Sequence, residues 1–137
     1  MEVNVLNELF HMFFQQNRNL VNKLNEVLKP HGLFSSQWTI LFLLHQNGPM
    51  SLTAIWKYLN VEAPTVTRTV SRLETLGWVE RQHGLDKREK MIFLSKKAME
   101  QFPPIEASVR SFEQEIERKL TQEDQELLKE ILKKMEG

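Results

Sequence analysis

Thr65, Thr67, Arg68, Ser71 and Arg72 lie within the segment Ala63-Pro-Thr-Val-Thr-Arg-Thr-Val-Ser-Arg-Leu-Glu-Thr-Leu76. Short hydroxyls and guanidinium groups at this spacing form hydrogen bonds. Their natural targets are phosphate oxygens and base edges. On a helical wheel Val66, Val70 and Leu73 share one narrow arc and predict a core-facing anchor. Pro64, Arg68, Ser71 and Thr75 face the opposite way, flanked by Thr65, Thr67 and Arg72. A helix presented like this fits a major groove with its N-terminal half nearest the bases. Arg68 or Arg72 can pair bidentately with guanine O6 and N7, for about 1–3 kcal/mol of discrimination. The Thr and Ser hydroxyls suit phosphates, a Thr methyl suits the thymine methyl, and the helix N-terminus suits a further phosphate. The competing reading is an ordinary amphipathic surface helix. Such helices usually alternate Glu with Lys, whereas here no acid precedes Glu74 on the outer face.

Two short, weakly alternating runs follow, residues 78–83 and 90–95, with Gly84 in the turn region between them. They predict a β-hairpin. Its tip carries Asp86, Lys87 and Arg88, with Arg81 and Lys90 near the base. An arginine at such a tip can enter a narrow minor groove, where the negative potential is enhanced. Asp86 would repel phosphate by itself. It makes sense if it orients Arg88 or Arg72 through a paired hydrogen bond. The alternative is a solvated hairpin of mixed charge.

The elements that must position these groups are mostly helices. Residues 4–28 carry Leu6, Leu9, Phe10, Phe13, Phe14, Leu20, Val21, Leu24, Val27 and Leu28 at three- and four-residue steps, and Pro30 and Gly32 end that helix. Ser35 or Ser36 is the expected cap of a second helix over residues 37–46, apolar almost all round and therefore buried. Ser51 is expected to cap a third helix over about residues 52–59, with Asn60 as a left-handed turn residue. Pro64 belongs in the first turn of the fourth helix, and Gly77 closes it. Beyond Ser95 the chain returns to helix, which Pro103-Pro104 is expected to interrupt or kink before it resumes over about residues 105–120. Thr121-Gln-Glu-Asp124 has the form of a capping box opening a last amphipathic helix.

Length predicts one domain, and no run approaches the roughly 18 apolar residues of a membrane span. Glu2, Asn4, Asn7 and Glu8 stand where a signal peptide needs basic and apolar residues. The absence of cysteine excludes disulfides and thiolate metal sites, and His11, His31, His45 and His83 lack metal-ligand spacing. No metal or cofactor is expected. No glycine-rich phosphate loop or nucleophile motif supports an enzyme. Net charge is zero, but its distribution is polarised. Residues 51–97 hold nine Lys/Arg against five Asp/Glu, whereas residues 98–137 hold six against ten. The basic excess coincides with the candidate reading surface.

Pro64-Thr-Val-Thr-Arg68 with Arg72-Leu-Glu74, then Gly77-Trp-Val79, then Asp86-Lys-Arg88 before Leu94-Ser95, together resemble the multiple antibiotic resistance regulator (MarR) family of bacterial transcription factors. The resemblance implies a mainly α fold with a small β-hairpin. A winged helix-turn-helix lobe over residues 35–97 is flanked by dimerisation helices over residues 1–34 and 98–137, all within one domain. It implies a cytoplasmic homodimer on a palindromic operator, with Arg68 and its neighbours in the major groove and Arg88 in the minor groove. It also implies release by a small molecule in many members. The chain departs from the family pattern at Trp56, where a small residue is usual, and at Ser95-Lys-Lys-Ala98, where Thr, two residues and Gly are usual.

The apolar stripes predict a dimer interface that includes Leu6, Phe10, Phe13, Leu120, Leu127, Leu128 and Leu132. An effector cleft between lobe and dimerisation helices would draw on His11, Phe14, Trp38 and Phe42, although aromatic residues at helical spacing also serve as plain core. The rival functional class is a winged-helix protein-interaction module without DNA binding. Direct RNA binding lacks exposed aromatic platforms for stacking bases.

Overall fold

Proline, glycine and hydroxyl residues set most of the boundaries. The computed structural model describes residues 5–83 and 89–136. Helix α1 runs over Val5–Leu28 and passes through a single 3-10 turn, Lys29–His31, to Gly32 at φ 75°. Helix α2 covers Ser35–Asn47, strand β1 Met50–Ser51, helix α3 Leu52–Leu59 and helix α4 Ala63–Thr75. Strands β2, Val79–His83, and β3, Lys90–Leu94, are followed by helices α5, Lys96–Glu117, and α6, Gln122–Met135.

Several local expectations hold. The Ser51 hydroxyl accepts the Ala54 N–H at 3.1 Å, and Asn60 sits at φ 54°. Gly77 ends the α4 corner at φ 83°. Thr121 and Asp124 cap each other's backbone N–H groups at 3.0 Å.

Three differ. The α2 cap is neither Ser35 nor Ser36. Phe34 takes the cap position, its N–H held by the Gln37 side chain at 2.9 Å, while the Ser35 N–H donates to Asn25 of α1 at 2.7 Å. The Gln37 and Trp38 N–H groups donate to the Phe34 carbonyl at 3.0 and 2.9 Å, so the helix already starts at Ser35 and neither serine stands at its cap. The hairpin is also wider than expected, because β1 adds a third antiparallel strand in the order β1-β3-β2, with Met50 opposite Ile92. Finally, α5 is a single helix through Pro103 and Pro104. Two missing N–H donors are disfavoured, at about 3 kcal/mol for an interior proline. Buried Ala98 and Phe102 before them and Ile105 and Val109 after them tie both halves to one core and offset that cost.

The core lies between α2, α3, α4, the sheet and the first half of α5. Ile40, Leu41 and Leu44 of α2 meet Ile55, Val70, Leu73, Val79, Ile92 and Ile105 within one cluster. Trp56 is half-buried against this cluster, so the lobe accommodates the indole. The outer helices differ. Among the described residues α6 has no buried side chain, and Leu9, Phe10, Phe13 and Phe14 of α1 stand exposed.

Candidate nucleic-acid interface

Helix α4 is held from behind. Val66, Val70 and Leu73 are buried, and the Trp78 N–H closes the corner on the Leu73 carbonyl at 2.9 Å. Its opposite face is open: Pro64, Thr65, Thr67, Arg68 and Arg72 are exposed. Ser95 fixes the far side of the lobe. Its hydroxyl donates to the Gly77 carbonyl at 2.6 Å and accepts the Ala98 N–H at 3.1 Å. Serine therefore supplies the joint at the Ser95-Lys-Lys-Ala98 departure. Lys97 completes it, with Nζ donating to the Leu76 carbonyl at 2.9 Å and lying 4.5 Å from the Trp78 ring centre.

Most of the hydroxyls on α4 are already engaged. Thr67 donates to the Ala63 carbonyl at 2.9 Å, Thr69 to Thr65 at 3.0 Å and Thr75 to Ser71 at 3.1 Å. A hydroxyl that donates its proton to the preceding turn keeps only its lone pairs for another partner. Phosphate oxygens need donors. Thr67 in this rotamer thus suits an apolar contact through its methyl better than a phosphate bond. Ser71 is half-buried, and its Oγ accepts from Arg81 Nη2 at 2.8 Å. The sequence reading did not anticipate that bond, which crosses from strand to helix.

The wing is described as far as the rung pairing His83 with Lys90, both exposed. Asp86, Lys87 and Arg88 lie outside the described residues, as does any pairing of Asp86 with Arg88 or Arg72.

The outer helices form an open apolar groove of about 400 Å³ between Leu20, Val21 and Leu24 of α1, Phe112, Ile116 and Leu120 near the end of α5, and Leu128 and Leu132 of α6. Leu120, Leu128 and Leu132 of the expected interface line it, and Leu127 stands exposed on α6. Phe10 and Phe13 lie further up α1, and the side chain of Leu6 is outside the described set. A second cleft, of about 270 Å³, opens between α2 and α5. Trp38, Phe42, Glu106, Val109, Arg110 and Glu113 line it. His11 and Phe14 are not part of its lining. Trp38 is buried and stacks on Phe102 with ring centres 5.0 Å apart, so it is core and cleft wall at once. The hydrogen bond from Arg110 to Glu113 at 2.9 Å, with the charges of Glu113 and Glu117, raises the guanidinium pKa above its ordinary value. Among the described residues no cluster of three or more His, Asp or Glu could hold a metal. No described helix is long and apolar enough to cross a membrane.

A recognition helix braced on a core, reached through a tight turn and flanked by a three-stranded sheet, defines a winged helix-turn-helix protein. A model of the MarR family matches residues 33–90. The chain is 46% identical over 125 residues to YwoH of Bacillus subtilis, an uncharacterized HTH-type transcriptional regulator, covering 91% of each. It superposes on a mutant MarR from E. coli complexed with operator DNA with a TM-score of 0.88, at 26% identity over 97% of this chain and 99% of that one. AbfR of Staphylococcus epidermidis gives a TM-score of 0.82, at 25% identity over 96% of this chain and 91% of that one. The chain belongs to the MarR family of winged-helix, DNA-binding transcription regulators.

Proposed function

We propose that the chain works in the bacterial cytoplasm as a homodimeric repressor on a pseudo-palindromic operator. The observation that carries this reading is the outer face of α4, where Thr65, Arg68 and Arg72 are exposed on a helix whose other side is locked into the core. Pro64, Thr65, Thr67, Arg68 and Arg72 enter the major groove, with Arg68 or Arg72 on guanine. The wing, with Asp86, Lys87 and Arg88, follows the adjacent minor groove. Residues 35–97 act as the reading lobe. Residues 1–34 and 98–137 hold two copies together, through Phe10, Phe13 and Leu127 and the groove at Leu120, Leu128 and Leu132. Two-fold symmetry then sets the two recognition helices about 34 Å apart, one turn of DNA. The DNA-bound relative supports the reading, since MarR from E. coli is complexed with operator DNA in the same fold.

Fluorescence anisotropy against duplex DNA from upstream of its own gene, over a salt series, tests the reading. Specific binding should weaken steeply with salt, and the slope counts the phosphates neutralised. Equal, weak binding to that duplex and a scrambled one would mean either a remote operator or a protein-interaction module.

Release by a small aromatic or amphipathic effector fits the cleft at Trp38 and Phe42, whose rim carries Glu106, Arg110 and Glu113. A panel of aromatic acids and amines, scored for release of the bound duplex, addresses this. Release that persists unchanged in Phe42→Ala removes the cleft from the proposal.

A further inference from the structure

Arg81 is the least expected participant in the lobe. It lies on β2 opposite Ile92, which is fully buried. Alternation along the strand places Arg81 on the same face as buried Val79, the face that meets α4. The long stem is covered there, leaving the side chain 20% exposed. Its guanidinium reaches two residues of the recognition helix one turn apart. Nη2 donates to Ser71 Oγ at 2.8 Å, and Nε lies 3.4 Å from Glu74 Oε1. The second contact is an ion pair and not an aligned hydrogen bond, since Nε is buried with no hydrogen-bond partner among the described residues. Only a planar fork spans both positions. A lysine presents one point charge and cannot.

We infer that Arg81 is a positioning residue for DNA reading, a strut that fixes the angle between the recognition helix and the wing strand, with Ser71 as its socket. This rests on the DNA-binding function proposed above. The helix enters the major groove and the wing follows the minor groove beside it, so both engage a rigid duplex together only at one mutual angle. Ser71, read from the sequence as a DNA contact, then acts through Arg81. Glu74 holds the guanidinium by charge.

The test uses the full-length protein and a duplex that the wild type itself selects from a random-sequence library. Failure of the wild type to select any duplex overturns the DNA reading and this inference with it. Given a selected duplex, Arg81→Met is expected to weaken binding about tenfold. Binding to unrelated duplex, and the slope of log affinity against log salt, should stay as in the wild type. Ser71→Ala should lose several-fold, and the double variant no more than Arg81→Met alone. Arg81→Lys should recover little. A salt slope that falls by about one would make Arg81 a phosphate contact and overturn the assignment. Additive losses would return Ser71 to an independent DNA contact, and undiminished affinity in Arg81→Met would remove the strut. If Arg81→Met does not fold, Ser71→Ala decides through the same two readouts: an unchanged slope with reduced specificity supports the strut, and unchanged specificity overturns it.

Discussion

Helices α3 and α4 of the reading lobe and the outer helices α1 and α6 solve opposite problems with similar amphipathic sequences. In the lobe, α2, α3 and α4 put their apolar residues into one cluster, and Leu41, Ile55, Val70 and Leu73 are almost fully buried. On α6, Leu127, Leu128, Ile131, Leu132 and Met135 all remain exposed. The first half of α1 shows the same surplus in Leu9, Phe10, Phe13 and Phe14. Amphipathicity therefore does not say where a stripe finds its partner. The lobe closes on itself, whereas the outer helices leave apolar surface that a second chain can cover.

The largest expected effect breaks the outer half of this contrast. Leu132→Asp places an unpaired carboxylate in the proposed interface and should cost about 3–5 kcal/mol of dimer stability. Sedimentation equilibrium should report a monomer while helix content stays close to the wild type. A dimer that survives would mean that the α6 face is solvated.

Leu73→Ala attacks the other half. It empties a fully buried site behind α4 and should lower unfolding stability by about 2–5 kcal/mol in denaturant titration. A loss below about 1 kcal/mol would show that the lobe is looser than its burial suggests. Arg68→Ala comes next, with about 1–3 kcal/mol lost on the operator and much less on scrambled DNA. Equal losses on both would reduce Arg68 to a phosphate contact. The smallest effect belongs to Thr67→Val, which keeps the methyl and removes a hydroxyl already donating to Ala63. Operator affinity should change by less than about 0.5 kcal/mol. A tenfold loss would show that the hydroxyl turns outward to meet DNA.

Elements whose signals are local were readable in the chain. The cap at Ser51, the left-handed Asn60, the proline at the start of α4 and the Thr121 capping box each depend on a few neighbouring residues, and each formed. The α4 wheel was readable because 3.6-residue periodicity separates an anchored face from an open one. What escaped was decided at a distance. Strand β1 has two residues, too few to show alternation, and exists because Ile92 and Met91 offer it an edge. Asn25 holds the Ser35 N–H at the start of α2 from ten residues away. Ser71 looked like a free hydroxyl until Arg81, on the next strand, occupied it. The two prolines looked like an interruption or kink because the apolar residues on both sides of them could not be assigned to one core from spacing alone.

That uninterrupted α5 is also a lever. Its 22 residues begin one residue past the Ser95 joint beneath the recognition helix, and its far end carries Phe112 and Ile116 in the outer groove. At 1.5 Å per residue the arm is about 33 Å long, so a tilt of about 5° at one end carries the other through about 3 Å. A displacement of that size is comparable to the rise of one base pair. In the proposed dimer, whatever sets the seat of α5 among the outer helices would therefore set the register in which two reading lobes meet a double helix.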